Sequence, residues 1–334
     1  MSPEKPALSI EMLQLPLRYE WKLSRNSSVS KTNGIVKIQR GDFIGMGEVA
    51  PNIRYDETPE RVKAEFDSLN TVFENQGFID NQDQFASLKV CKALQMGLDM
   101  ALTNLKAAEN GITPANLLGL SEPRARDICY TIPVMDSSLI QAFIESENLR
   151  RFSWLKIKVN SETGLQMVKE VLGNFQGQIA IDGNEAWKDK EQALAFACSL
   201  PKDRILFLEQ PLPASMRDEY EWLSLRAPME IWGDESVLSN PDPDFWKSSF
   251  SGINVKLMKA GSFNNAIQML KSAREAGLKT MVGCMVETSL GILAAMQLES
   301  LADFMDLDGF LLLQNEPFGL LHEEGGRVFP YPKV

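Results

Sequence analysis

WLKIKVN, residues 154–160, reads as a strand with two lysines on one face. Side chains in a strand alternate between faces, so Leu155, Ile157 and Val159 share one side while Lys156 and Lys158 share the other. Two neighbouring ammonium groups repel, and burial costs each of them further. On a solvated edge strand the pair would mean little. Inside a barrel it is expensive unless it performs chemistry, so its meaning depends on the strands around it.

Those strands recur from about residue 124 onward, with helical stretches between them. They are DICYTIPV (127–134), WLKIKVN, QIAIDGN (178–184), ILFLEQP (205–211), EIWGDES (230–236), GINVKLM (252–258), KTMVGCMVE (279–287) and ADFMDLD (302–308). Stretches such as TGLQMVKEVLGNF and SFNNAIQMLKSAREAG carry helical periodicity between them. Eight strands alternating with helices define an α/β fold, a (β/α)8 barrel of the modified TIM type.

Residues 1–121 read as an N-terminal α+β capping domain, completed by about 310–334, with the barrel over 122–309. Its expected strands are 7–17, 34–40 and 43–50, the last two joined by a turn at RGD (40–42). The Ser-rich EWKLSRNSSVSKTN (20–33) reads as loop at least in part. Thr58 and Pro59 open one helix, and a long helix is expected from about residue 85 to Gly111.

With 334 residues, 44% hydrophobic and 24% charged, the chain has the composition of a soluble globular protein. A formal charge of −11 argues against nucleic-acid binding, which needs a basic surface, but not against a small anionic substrate in a cleft. No run approaches membrane-spanning length, and Cys91, Cys129, Cys198 and Cys284 are scattered, as expected of reduced thiols in the cytoplasm. His322 is the single histidine, which removes Ser-His-Asp chemistry and His-rich metal sites. Acid–base work falls to carboxylates, lysines, tyrosines or cysteines.

The C-terminal ends of barrel strands carry the chemistry of this fold. Here they offer Lys156 and Lys158 on the second strand, Asp182 on the third, Glu209 on the fourth, Asp234 on the fifth and Lys256 on the sixth. Glu287 follows the seventh, and Asp306 and Asp308 lie on the eighth. Each alone has a plainer meaning: an Asp after a strand usually caps the next helix, and a strand-end lysine snorkels. Three carboxylates on successive strands, flanked by lysines, are harder to dismiss. Converging carboxylates repel unless a divalent cation joins them, and all-oxygen ligation suits Mg²⁺, one per subunit. Lys158 and Lys256 stand on strands four apart in a ring of eight, across whatever the metal holds. Burial, the metal and the Lys156–Lys158 repulsion are expected to favour neutral amines able to act as bases. Two bases facing across one carbon are the equipment of a racemase or epimerase.

Over essentially its whole length the sequence resembles the enolase superfamily, muconate-lactonising-enzyme subgroup. The resemblance rests on KIK (156–158), DGNEAW (182–187), EQP (209–211), DES (234–236), NVKLMKAG (254–261) and GMGEVAP (45–51). It implies proton abstraction α to a carboxylate, with the enolate stabilised on Mg²⁺ held by Asp182, Glu209 and Asp234. MDLDG (305–309) resembles the Asp-x-Asp signature of dipeptide epimerases, in which Asp306 and Asp308 would bind the substrate ammonium. Lys156 would hold the substrate carboxylate, and Thr131 is placed with the substrate-binding residues. Asn184 matches a family position beside the ligands, and AGS (260–262) departs from the commoner AGG.

The expected activity is inversion of the α-carbon of the C-terminal residue of an Ala-X dipeptide. In relatives acting on Ala-Glu a basic residue in the loop around 20–30 pairs with the Glu side chain, which points to Arg25; Ile53, Met46 and Phe304 would suit an apolar side chain instead. The rival within the subgroup is an o-succinylbenzoate synthase or cycloisomerase-type lyase, and outside catalysis a barrel kept as a binding scaffold. The expected partner is a small-molecule dipeptide, with no nucleic acid or membrane, and assembly into a homo-oligomer rests on analogy with similar barrels.

Overall fold

The structure is a computed structural model that describes residues 6–22, 27–76 and 88–330. Arg25 lies outside the described residues. The chain opens with an antiparallel sheet of β1 (Ala7–Lys22), β2 (Ser27–Arg40) and β3 (Phe43–Val49), in that spatial order. The described residues of the segment expected to be at least partly loop are strand: β1 runs on to Lys22 and β2 begins at Ser27, with Trp21 paired to Ser28 beyond a register shift. Ser and Thr at the ribbon's exposed positions hid the pattern, because the strand is specified by pairing with β1 rather than by a buried face.

Helix α1 (Pro59–Gln76) starts as expected, with the Arg61 N–H donating to Thr58 Oγ1 at 3.2 Å. Helix α2 (Lys92–Glu109) begins later than its periodicity suggests, after an extended Cys91. Carboxylates supply its missing cap: the Cys91 N–H donates to Glu65 at 2.6 Å and the Ala93 N–H to Glu57 at 3.1 Å. Gly45 and Gly47 let β3 lie directly on the α2 backbone, where a β-carbon at Gly47 would overlap the Gly97 carbonyl.

Short β4 (Arg126–Asp127) precedes the barrel strands β5 (Tyr130–Ile132), β6 (Trp154–Lys158), β7 (Gln178–Asp182), β8 (Ile205–Glu209), β9 (Ile231–Gly233), β10 (Gly252–Lys256), β11 (Lys279–Gly283) and β12 (Phe304–Asp306). Each pairs in parallel with its sequence neighbour, giving the order β5 to β12 without interruption. Eight parallel strands thus form a nearly closed barrel. Across the β12–β5 seam, side chains reach over: Cys129 Sγ donates to Asp306 Oδ1 at 3.1 Å and the Thr131 N–H to Asp308 Oδ2 at 2.5 Å. The C-terminal hairpin of β13 (Leu321–Glu324) and β14 (Arg327–Pro330) pairs with β4 at the barrel's entrance strand. His322 stacks on Phe329 in that hairpin. Among the described residues no helix is long and apolar enough to cross a membrane.

Candidate active site

The barrel interior changes character over two residues. A lower layer of Cys129, Trp154, Ala180, Phe207, Trp232 and Met281 forms a buried apolar cluster of its own, with Phe304 packed on it. Phe207 and Trp232 stack at 4.3 Å, and Phe304 meets Trp154, Phe207 and Trp232 edge-on. One inward position further along six of these strands stand Thr131, Lys156, Asp182, Glu209, Asp234 and Asp306. Phe304 therefore belongs to the floor and cannot shape a substrate side-chain pocket. Met46 lines a separate cavity with Asn104 and Phe329, so it too is outside the site; Ile53 does line the mouth.

Asp182, Glu209 and Asp234 each turn one oxygen into a common space, all three within 4.8 Å of one another. Their other oxygens are taken by fixed donors. The Asn184 N–H donates to Asp182 Oδ1 at 3.0 Å, Asn254 Nδ2 to Glu209 Oε1 at 2.9 Å, and Lys259 Nζ to Asp234 Oδ1 at 2.6 Å. Glu209 Oε2 is buried and accepts no hydrogen bond, although Lys156 Nζ approaches it to 2.8 Å at an unfavourable angle. Burial pushes the Glu209 carboxyl up to about 7, with Lys156 pulling the other way. Burial also works against Asp182 and Asp234, but Lys156 and Lys158 beside the first, and Lys256 and Lys259 beside the second, hold both well below the usual range.

The two lysines of β6 are both buried, and their repulsion is offset by sharing one acceptor: Lys158 Nζ lies 2.8 Å and Lys156 Nζ 3.2 Å from Asp182 Oδ2. Lys158 also donates to Asn184 Oδ1 at 3.0 Å and sits 5.9 Å from the Trp21 ring centroid. Lys256 donates to Asp234 Oδ2 at 2.9 Å. At Lys156 and Lys256 burial and the neighbouring charges pull in opposite directions. Burial alone would lower Lys156 and Lys256, but the surrounding carboxylates (Asp182, Asp306 and Glu209 for Lys156, Asp234 first for Lys256) hold both ammonium groups well above their ordinary value.

Asp306 and Asp308 complete the ring. Lys156 donates to Asp306 Oδ2 at 2.8 Å. Burial opposes the Asp306 carboxylate, yet Lys156 and Lys256 hold it below the usual range, while burial and then Asp306 push Asp308 up to about 6. Lys156, Lys158, Asp234, Lys256, Asp306 and Asp308 line a cavity of about 420 Å³, roofed by Trp21, Lys31, Asn33 and Ile53 of the first sheet and its following loop. Thr131 lines it as well.

Two ties hold that roof down. Glu48 of β3 accepts Asn33 Nδ2 at 2.8 Å, the Thr288 hydroxyl at 2.6 Å and N–H at 3.0 Å, and the Gly291 N–H at 2.9 Å. Arg54 forms a bidentate pair with Glu185, at 2.9 and 2.8 Å. Glu287 is pushed up to about 8 by burial and by Glu48. Lys259, Glu48, Glu185 and Lys31 were all missed as site residues in the sequence. The first three lie inside the quoted NVKLMKAG, GMGEVAP and DGNEAW; nothing local marks Lys31. The AGS departure has a structural use, since Ser262 Oγ accepts the Asn265 N–H at 3.2 Å and caps the helix Phe263–Glu275.

The chain belongs to the enolase superfamily: residues 140–315 match the family described as enolase C-terminal domain-like. It is 34% identical to the L-Ala-D/L-amino acid epimerase of Pedosphaera parvula, over 93% of this chain and 92% of that protein. Identity to the L-Ala-D/L-Glu epimerase of Bacteroides thetaiotaomicron is 28%, covering 94% and 83%. Among solved structures it resembles an enolase family member from Agrobacterium tumefaciens with homology to dipeptide epimerases, described with bound sodium and L-Ala-L-Glu. The TM-score there is 0.85 at 29% identity, covering 98% of both chains. These relatives are named as isomerases of amino-acid derivatives or by homology to them.

Proposed function

We propose that the protein is a dipeptide epimerase dependent on one Mg²⁺ per subunit, inverting the α-carbon of the C-terminal residue of an Ala-X dipeptide. The observation that carries this is the placement of Lys158 and Lys256, from β6 and β10, in one cavity that Asp306 and Asp308 also line. Strands β6 and β10 lie four apart in the ring of eight, so the lysines face each other. Asp182, Glu209 and Asp234 would hold the ion; the fit rests on three converging oxygens, one of them the buried Glu209 Oε2 with no hydrogen bond. When bound, Mg²⁺ supplies positive charge beside the substrate carboxylate as that group gains charge on loss of the α-proton.

Lys156 adds a fixed ammonium at the same end. With its carboxylate toward the floor and its ammonium toward Asp306 and Asp308, the substrate stands with its α-carbon between Lys158 and Lys256. One lysine takes the proton from its side and the other returns one to the opposite side, so each turnover needs one neutral amine and one protonated amine. A lyase substrate without an ammonium would be repelled by the strand-eight aspartates. Lys31 is half-buried, has no hydrogen-bond or carboxylate partner among the described residues, and has its ammonium lowered by burial. A carboxylate on X would supply the missing partner, which favours Ala-Glu over apolar Ala-X. On this proposal residues 1–121, with about 310–334, cap a barrel of 122–309, and the enzyme is a cytoplasmic homo-oligomer.

The test is proton NMR in D₂O with Mg²⁺ and a panel of L-Ala-X dipeptides. Exchange of the α-proton of X with inversion supports the proposal. Replacing either Lys158 or Lys256 by Ala should cut epimerisation about 10²–10⁴-fold while leaving exchange from one enantiomer only. Full activity in either variant, or no exchange on any dipeptide, defeats it.

A further inference from the structure

The three carboxylates divide their oxygens in the same way. In each, the outer oxygen is bonded by a donor fixed in the barrel wall and the inner oxygen faces the lysines. For Asp182 the outer donor is the backbone N–H of Asn184, for Glu209 the Asn254 amide, and for Asp234 the Lys259 ammonium. Lys259 is fully enclosed, and its three N–H groups go to Asp234 Oδ1 at 2.6 Å, the Asp234 carbonyl at 2.5 Å and the Asn254 carbonyl at 3.3 Å. The other oxygen, Asp234 Oδ2, accepts Lys256 Nζ at 2.9 Å, and the backbone of Asp234 is fixed by its N–H donating to Gln210 Oε1 at 2.9 Å. A carboxylate so held cannot swing to present both oxygens inward.

That restriction matters for which ion fits. Ca²⁺ takes about six to eight oxygens, often two from one carboxylate, whereas Mg²⁺ demands about six at near-octahedral angles and keeps several waters. Three carboxylates limited to one oxygen apiece suit the smaller, stricter ion. We propose that Lys259 and Asn254 are metal-selectivity residues: by occupying the outer oxygens of Asp234 and Glu209 they keep both carboxylates monodentate, so that the centre takes Mg²⁺ and discriminates against Ca²⁺. The proposal rests on the triad being a metal site, but not on the identity of the substrate. The plainer role for Lys259, anchoring the short helix Leu257–Ala260 by an ion pair, would leave the Mg²⁺/Ca²⁺ preference untouched.

The test is calorimetric titration of Mg²⁺ and of Ca²⁺ into the EDTA-stripped protein and its K259M and N254A variants. The quantity read is the ratio of the two dissociation constants, because a lost charge at Lys259 shifts both dications alike. Each variant should move the ratio toward Ca²⁺ by at least about tenfold, in the range typical of residues that orient metal ligands. N254A removes no charge, so its shift separates geometry from electrostatics. A ratio within about twofold of the unmodified protein in a folded variant overturns the role of that residue. Should K259M fail to fold, a crystal structure of the unmodified protein with Mg²⁺ decides: Asp234 Oδ2 and Glu209 Oε2 as the only ligand oxygens of those residues support the proposal, and ligation by Asp234 Oδ1 or Glu209 Oε1 overturns it. Absence of dipeptide exchange would defeat the epimerase proposal alone, whereas failure to bind either ion would defeat this one.

Discussion

Replacing Glu48 by Ala removes the carboxylate on which the first sheet is tied to the barrel. The Thr288 hydroxyl and N–H and the Gly291 N–H lose their acceptor, while Asn33 keeps its second bond to the Val286 carbonyl at 3.0 Å. Each buried donor left unpaired costs about 1–3 kcal/mol. Against this stands the relief of no longer burying a carboxylate, since burial is the main cause that raises Glu48. The net loss is about 3–5 kcal/mol, the size seen when one member of a buried polar network is deleted. With an unfolding entropy of about 2.1 cal/mol/K per residue, the 334-residue chain turns that into a Tm drop of about 4–7 °C. Because Asn33 and Lys31 line the roof on the same strand, α-proton exchange should fall by more than about tenfold under conditions where the variant is still folded. Calorimetric melting and NMR exchange on the same samples check both. A Tm within about 1 °C of the parent would show that Glu48 is not the tie described here.

Glu287 should impose a pH dependence on stability. Its carboxyl is raised from 4.5 to about 8, by burial first and Glu48 second, so the folded state favours the proton and this contribution is lost as pH rises through that window. Glu287→Gln, which keeps an acceptor for the Met285 N–H, should therefore gain on the parent between pH 5 and 9, by about 2–5 °C in Tm; a constant gap refutes the assignment. Gly47→Ala should cost more than about 1–3 kcal/mol, since its β-carbon meets the α2 backbone, with the Ala101 nitrogen at 2.7 Å, rather than a movable side chain. An unchanged melting curve would mean that β3 can lift off α2 freely. Mg²⁺ at about a hundred times its Kd should stabilise the parent by about 2.7 kcal/mol, and Glu209→Gln should abolish most of that rise; an equal rise in the variant places the ion elsewhere.

The barrel was legible because each strand repeats the same short apolar signal, and the site because its polar residues fall at equivalent strand ends. Lys156, Asp182, Glu209 and Asp234 could be placed by counting alone. What escaped the sequence was set by partners far along the chain. Ser27–Asn33 became strand because β1 lies beside it, not because of its own residues. Phe304 shares a face with Asp306, but whether that face meant pocket or floor depended on Trp154, Phe207 and Trp232 from three other strands. The carboxylate that accepts from Lys256, Asp234 at 2.9 Å, is a neighbour in space only.

The aromatic floor has one more consequence. Trp154, Phe207, Trp232 and Phe304 close the lower end of the barrel, so among the described residues water meets the lysines only through the roofed mouth. On the proposed reaction, a hydrogen lifted from a substrate would leave the barrel through that mouth alone. Its exchange with bulk water would then be governed by the roof rather than by the bond-breaking step. The fraction of original hydrogen surviving in inverted product would be a clock for how often the chamber opens.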